Sequence, residues 1–427
     1  MSLSYRDGVP AATLRRVTAH QFVLELGRAM HALGSPSYRV EDAMVACCRA
    51  LGLEGSFFST PTAIFAALGE PGSEPKATLL RVVPGDHDLG RLAELNAIRD
   101  AVVRGEATPG QGTVRVRVVL GRSPRLGPAA DAVAHALAGG GAGVLLGGGY
   151  LEAGVGAAAG LVVGLMGMLA RLRTGLVDLL PPLSCAVVAF LVHLVAAAGL
   201  TLNEAITTIA GIIVLLPGLS LTTALAELSM RHLSAGSARL LGTLALLLTM
   251  GVGVGIGNRC AALLTPTLPA IDMVGLPWVW DLPAIVCMWL AFVVLLRASR
   301  RQVFWVLFAV GLGYGGARLA GDLLGPELGA FLGALLVTAS ANLFERWQRQ
   351  PAAVVLTPGL LLLVPGSLGF RGLTTMAVGH DVTASVPFLF DMMFVSAAIV
   401  GGLLMAGVVL PPPLDFAPDK RARSVVR

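Results

Sequence analysis

Leu215-Leu216-Pro217-Gly218-Leu219-Ser220-Leu221-Thr222-Thr223 and Leu363-Val364-Pro365-Gly366-Ser367-Leu368-Gly369 are apolar stretches that each carry a Pro-Gly pair in the middle. Each pair falls about 12 residues into a run long enough to span a bilayer, roughly 18 Å deep at 1.5 Å per residue and close to the midplane. Proline removes an N–H and clashes with the preceding turn, and glycine lets the backbone change direction, so each pair splits its helix. A half-helix then starts at mid-depth. Its free N–H groups and positive dipole end attract an anion such as a carboxylate, while the unwound carbonyls receive an ammonium or a proton carrier.

Working outward, the rest of the chain reads as membrane protein behind a water-facing domain. It has 427 residues, 55% hydrophobic and 13% charged, where a soluble domain carries about 25% charged residues. Of the 31 Lys and Arg, 15 lie in residues 1–127, which hold no apolar run long enough to cross hydrocarbon. No basic segment leading into a short apolar stretch and cleavage site opens the sequence, so this domain is expected in the cytoplasm. Within it, Phe22, Leu26, Met30 and Leu33 at helical spacing predict a helix over 18–33. A second is expected over 38–51, with Gly52 as its C-cap. Residues 62–68 and 78–83 read as strands, and Asp88 as the cap of a helix over 89–103. Val114, Val116 and Val118, alternating with Arg115 and Arg117, predict a further strand and complete a small α+β unit.

Beyond Pro128, ten spans are expected: about 129–149, 153–170, 182–199, 205–227, 239–257, 281–297, 302–320, 326–343, 352–376 and 386–410. The loops on the N-terminal domain's side, with the tail, carry 13 Lys and Arg, and the opposite loops carry only Arg259, Arg318 and Arg371. This asymmetry places both termini in the cytoplasm. The chain then divides into the domain 1–127, a five-helix half 128–258, an external loop 259–280, a second half 281–410 and a tail 411–427. Five is odd, so the second half enters from the opposite face. The fold class is thus an all-α polytopic membrane protein built as two inverted five-helix repeats with broken helices four and nine, as in secondary transporters.

The hydroxyls of Ser220, Thr222, Thr223 and Ser367 are candidates to line the substrate cavity beside Pro217, Gly218, Pro365 and Gly366; the alternative is a pair of kinks with hydroxyls bonded back to the helix. Ionisable residues inside spans are functional candidates by default. His193, in the third span, has an unperturbed pKa suited to proton carriage. Glu227, closing the half-helix after Pro217, and Asp391, in the tenth span, are candidate proton sites or gates. Asn203 and Glu204 read as a helix cap.

Other features point away from chemistry. The run Gly139-Gly140-Gly141-Ala142-Gly143 looks like a nucleotide loop, but no strand precedes it, and like Gly156, Gly160 and Gly164 it suits close helix packing. Cys47, Cys48, Cys185, Cys260 and Cys287 have no metal or disulfide spacing, and no cofactor or metal is expected. The basic residues follow the membrane rule, so no nucleic-acid partner is implied. Lipid and a small polar substrate are the expected partners, with a homo-oligomer left open. An intramembrane enzyme using Ser220 and His193 lacks any nucleophile elbow.

At these residues the sequence resembles the threonine/serine exporter family over nearly its whole length. Gly34-Ser35, Tyr38-Arg39-Val40-Glu41 and Leu51-Gly52-Leu53 carry the likeness in the N-terminal domain. Pro217-Gly218, Leu221-Thr222, Glu227-Leu228 and Gly236 through Arg239 carry it in the first membrane half. Val364-Pro365-Gly366-Ser367 and Arg371-Gly372-Leu373 carry it in the second. Where the family pattern has an Asn and an Arg after the first Pro-Gly, this chain has Thr223 and Ala226. The resemblance implies proton-driven export of threonine or serine across the inner membrane. Family members whose halves are separate proteins are linked to dicarboxylates, which gives a succinate-like substrate as the alternative. A channel gated by the N-terminal domain is the alternative of another class.

Overall fold

The computed structural model describes residues 11–83, 85, 87–172, 174–265, 275–363, 366–379 and 382–413. The N-terminal unit opens with α1 (Ala11–Ala32) and α2 (Ser37–Ala50). Phe22, Leu26 and Met30 bury the inner face of α1, and Gly52, at φ 68°, closes α2 where a side chain would be strained. An antiparallel sheet β1 (Glu54–Thr60), β2 (Ala63–Gly69), β3 (Lys76–Arg81) follows in that order, with Phe58 opposite Phe65 and Phe65 opposite Leu79. Two of these strands match the expectation; β1 was not foreseen. The Asp88 carboxylate accepts the Arg91 N–H at 2.8 Å and caps α3 (Leu89–Val103).

The strand expected at Val114–Val118 is instead part of α4 (Pro109–Gly121). A capping box decides it: the Thr108 hydroxyl accepts the Gln111 N–H, the Gln111 side chain accepts the Thr108 N–H, and Pro109 sits where its missing donor costs nothing. Gly112, Thr113, Val116 and Val119 are buried at helical spacing, while Val114 and Val118 face out. Five alternating residues are too few to overrule a cap and a longer period.

The remaining helices are α5 (Pro128–Leu145), α6 (Tyr150–Ala170), α7 (Leu180–Ala197), α8 (Glu204–Ile212), α9 (Gly218–Ser229), α10 (Leu233–Ala262), α11 (Asp281–Leu295), α12 (Val303–Leu324), α13 (Pro326–Gln348), α14 (Ala353–Leu363), α15 (Gly366–Gly379) and α16 (Val382–Val409). Among the described residues, eight segments are long and apolar enough to cross a membrane, and nine if α8 and α9, which meet at 64°, count as one span. Of the ten expected spans α5 is the one left out; Asp131, His135 and its glycines dilute its apolarity. It is nevertheless packed hard against α6. A Cβ on Gly139 would lie 2.3 Å from the Gly156 carbonyl oxygen, and one on Gly160 2.3 Å from that of His135. The glycine runs are thus a helix–helix contact surface, as read from the sequence.

Pairings recur between the halves. α7 packs on α10 and α13 on α16; α6 on α8 and α12 on α14; α9 on α10 and α15 on α16. Across the halves α10 meets α15 and α16 meets α9, while α5 lies against α11. Three non-glycine residues with positive φ, Arg231, Arg297 and Arg349, stand at the ends of α9, α11 and α13. Each puts a cation at a helix C-terminus, where the dipole is negative, on the side that holds the N-terminal unit. That unit is seated on these turns: the Leu89 N–H donates to the Leu296 carbonyl at 2.9 Å, Arg39 pairs with Glu345 at 3.7 Å, and Arg297 with Asp88 at 3.9 Å.

Candidate functional site

The break between α8 and α9 opens onto a cavity that the start of α15 also lines. It has a volume of about 590 Å³, within the usual range of small-molecule sites. Pro217, Gly218 and Ser220 line it from the break, Gly366 and Ser367 from α15. Pro365 lies outside the described residues. A short 3-10 turn (Ile213–Leu215) ends at Leu216 and α9 restarts at Gly218 after Pro217, so the first-turn N–H groups of α9 lie at the break.

The cavity runs from the break toward the N-terminal domain. Asp131 and His135 of α5, Arg171 after α6 and Arg297 after α11 also line it, together with Gly85 and His87 of the N-terminal domain. Arg171 Nη2 donates to Asp131 Oδ2 at 2.6 Å, and His135 Nδ1 lies 2.7 Å from the Asp131 carbonyl oxygen. The sequence reading passed over this cluster because Arg171 was counted as a loop charge. The signal was available: an acid and a histidine four residues apart open an otherwise Ala- and Gly-rich span, where ionisable groups are expensive.

The structure separates residues that were grouped. Thr222 and Thr223 face away from the large cavity, into a smaller one of about 100 Å³ under the N-terminal domain, and the Thr222 hydroxyl donates to the Gly218 carbonyl at 3.3 Å. His193 lies about one turn from the end of α7, buried, with Nδ1 3.0 Å from Glu204 Oε2. Glu204 begins α8 beside Asn203, whose side chain caps it by accepting the Ile206 N–H, so His193 sits at the end remote from the N-terminal domain. Nearby the buried Glu152 accepts the N–H groups of Gly149 and Asn203, both at 2.8 Å. Asp391 is exposed on α16 between the exposed Phe390 and Met393 and lines none of these cavities.

Glu227 is wholly buried and holds two elements together. It accepts two bonds from Arg239, at 3.0 and 3.1 Å, and the Ser37 N–H at 3.0 Å. A broken helix is thereby tied to the first turn of α2. At the same seam His232 lies 3.7 Å from Glu41, whose carboxyl burial pushes up to about 7 against the hydrogen bond from the Ser59 N–H; burial also lowers His232. A raised carboxyl means that the folded chain keeps a proton the unfolded one releases, so its contribution fades as pH rises through about 7. Thermal unfolding temperature is therefore expected to fall between about pH 5 and about pH 7.5 in the native chain, and less in Glu41→Gln.

Residues 21–260 match the family described as putative threonine/serine exporter, and residues 282–409 match the one described as threonine/serine exporter, ThrE. This chain belongs to the threonine/serine exporter family. The two matches follow one another along one chain, so this exporter-family member is a fused two-half form, a multi-pass membrane protein of a transporter family. Its relatives include pheromone-regulated membrane protein 10 of Candida albicans, 24% identical over 441 residues that cover 93% of this chain and 39% of that protein. The protein of the same name in Saccharomyces cerevisiae is 22% identical over 425 residues, 92% of this chain and 54% of its own. An uncharacterized protein of Schizosaccharomyces pombe is 20% identical over 377 residues, 86% and 45% of the two chains. The exporter-family chain thus spans about half the length of these relatives or less. No solved structure matches it.

The placement of the hydroxyls gives a direct test. Ser220→Ala and Ser367→Ala each remove a group from the large cavity, and a lost hydrogen bond of about 1 kcal/mol weakens substrate binding roughly fivefold. Thr222→Val is expected to leave affinity unchanged. The reverse ranking in a binding assay would move the site to the smaller cavity.

Proposed function

We propose that the chain is a secondary transporter exporting threonine or serine from the cytoplasm across the inner membrane, coupled to the proton gradient. Both termini are cytoplasmic, and ten spans form two inverted five-helix halves. The observation that carries the reading is the cavity lined by the break at Pro217-Gly218, by Gly366 and Ser367 of α15, and by Asp131, His135 and Arg171. Half-helix dipoles at a midplane cavity suit a carboxylate, and Asp131 suits an ammonium group. A repeat of the two halves is supported by part of the packing: α6 on α8, α7 on α10 and α9 on α10 are matched by α12 on α14, α13 on α16 and α15 on α16, while the close α5–α6 pairing has only a weak counterpart in α11 and α12. With Gly85 and His87 in the cavity lining, the N-terminal domain is placed to regulate entry.

A proton carrier must lie on the path. His135 is in the cavity wall, and His193, paired with Glu204, is at the far end. Counterflow in proteoliposomes with labelled threonine, serine and succinate tests the substrate. Exchange of threonine or serine with none of succinate is expected; exchange of succinate alone overturns the reading in favour of a dicarboxylate, which the positive end of α9 at this cavity favours as the second candidate. His193→Gln is expected to abolish gradient-driven export while leaving exchange, since exchange moves no net proton. Loss of both would mark the His193–Glu204 pair as architecture.

A further inference from the structure

We infer that Asp281, Tyr314 and Arg318 form the charged wall of a vestibule on the far side of the membrane, the counterpart of Asp131, His135 and Arg171 on the near side. The inference rests on the inverted-half reading above. Asp131 lies in the first turn of α5 and Asp281 in the first turn of α11. Arg171 closes α6, and Arg318 stands in the last two turns of α12. The aspartates are 150 residues apart, the arginines 147, and the glycines Gly218 of α9 and Gly366 of α15, 148. The three offsets agree to within three residues.

The contacts correspond as well. Arg171 meets Asp131 at 2.6 Å and Arg318 meets Asp281 at 2.9 Å. Their side chains are 50% and 17% exposed in the first pair and 47% and 12% in the second. Each pair has one further polar ring a turn away. His135 follows Asp131 by four residues; Tyr314 precedes Arg318 by four, donates its hydroxyl to the Asp281 carboxylate and accepts from Arg318 Nη1 at 3.1 Å. Asp322 also meets Arg318, at 3.3 Å, so the far-side cluster is the more acidic of the two. A guanidinium beside a carboxylate offers a partner to each end of a zwitterion.

One difference matters for motion. α5 and α6 are locked by backbone-to-backbone glycine contact, whereas α11 and α12 meet through side chains, Ile285, Met288 and Phe292 with Val306 and Val310, and are each packed more extensively on other helices, α11 on α5 and α12 on α13 and α14. The Asp281–Arg318 bond thus crosses a seam between two sets of helices. Separating them opens the far side.

The test uses the full chain in proteoliposomes with both faces addressed separately. Arg318→Gln is expected to raise the half-saturating concentration of threonine at the far face at least fivefold and leave the near face unchanged; Arg171→Gln does the reverse. Equal effects at both faces, or none, overturn the inference. An arm independent of substrate uses Ser367→Cys in a background without the five native cysteines. Its labelling by an impermeant thiol reagent from the far side is expected to vanish when Asp281→Cys and Arg318→Cys are joined by a reducible bifunctional thiol cross-linker, whose disulfide bonds to the two cysteines span the gap, and to return on reduction. Labelling unaffected by the cross-link sinks the inference even if a dicarboxylate proves to be the substrate, whereas failure of threonine and serine exchange with intact locking sinks only the substrate assignment.

Discussion

Glu227→Ala is expected to release the N-terminal domain from the membrane helices and to cost about 3–5 kcal/mol of stability, the scale for removing one member of a buried ion pair. Arg239 is left largely buried without its carboxylate, and the Ser37 N–H at the start of α2 loses its acceptor. Thermal unfolding of the full chain and hydrogen exchange over residues 37–41 read the two consequences. Protection at α5 and α6 should persist, because their contact is made by glycine backbones far from the seam. Replacing both Glu227 and Arg239 by Met is expected to recover part of the loss, since no uncompensated charge remains. If Glu227 instead carried protons, Glu227→Gln would leave stability and docking intact and abolish only gradient-driven export.

Gly218→Leu and Gly366→Leu are each expected to abolish transport with the protein still inserted. Both glycines border the large cavity, Gly218 at the first residue of α9 and Gly366 in α15, and a branched side chain there fills the space. The exchange assay and a thermal unfolding measurement on the same variants separate a filled site from a damaged fold. Transport lost in step with stability would identify the breaks as architecture, with substrate bound elsewhere.

Much of this arrangement is legible in the sequence because membranes impose one-dimensional rules. The split between α8 and α9 falls at Pro217 and Gly218, where the sequence places it, whereas Pro358-Gly359 is carried inside α14 without a break. The seating of the N-terminal domain on the turns at Arg297 and Arg349 agrees with the charge count that put those loops on its side. The strand expected at Val114–Val118 was lost to a competing local signal, Thr108 with Gln111, that lies outside the alternating stretch.

What sequence reading could not supply is which side of each helix faces which neighbour. Ser220 and Thr222 are two positions apart on α9, about 200° around the helix at 3.6 residues per turn, and so line different cavities. Glu227 reads as a lone acid until α2 and α10 bring Ser37 and Arg239 to it, from 190 and 12 residues away. Asp131 and Arg171 become a cavity wall only because glycines let α5 and α6 touch. The sequence by itself determined the membrane class and the break at Pro217-Gly218, since these depend on residue type and spacing along one chain. The tertiary structure decided which charges meet and which hydroxyls share a cavity, since these depend on helix rotation and packing, which no single segment specifies.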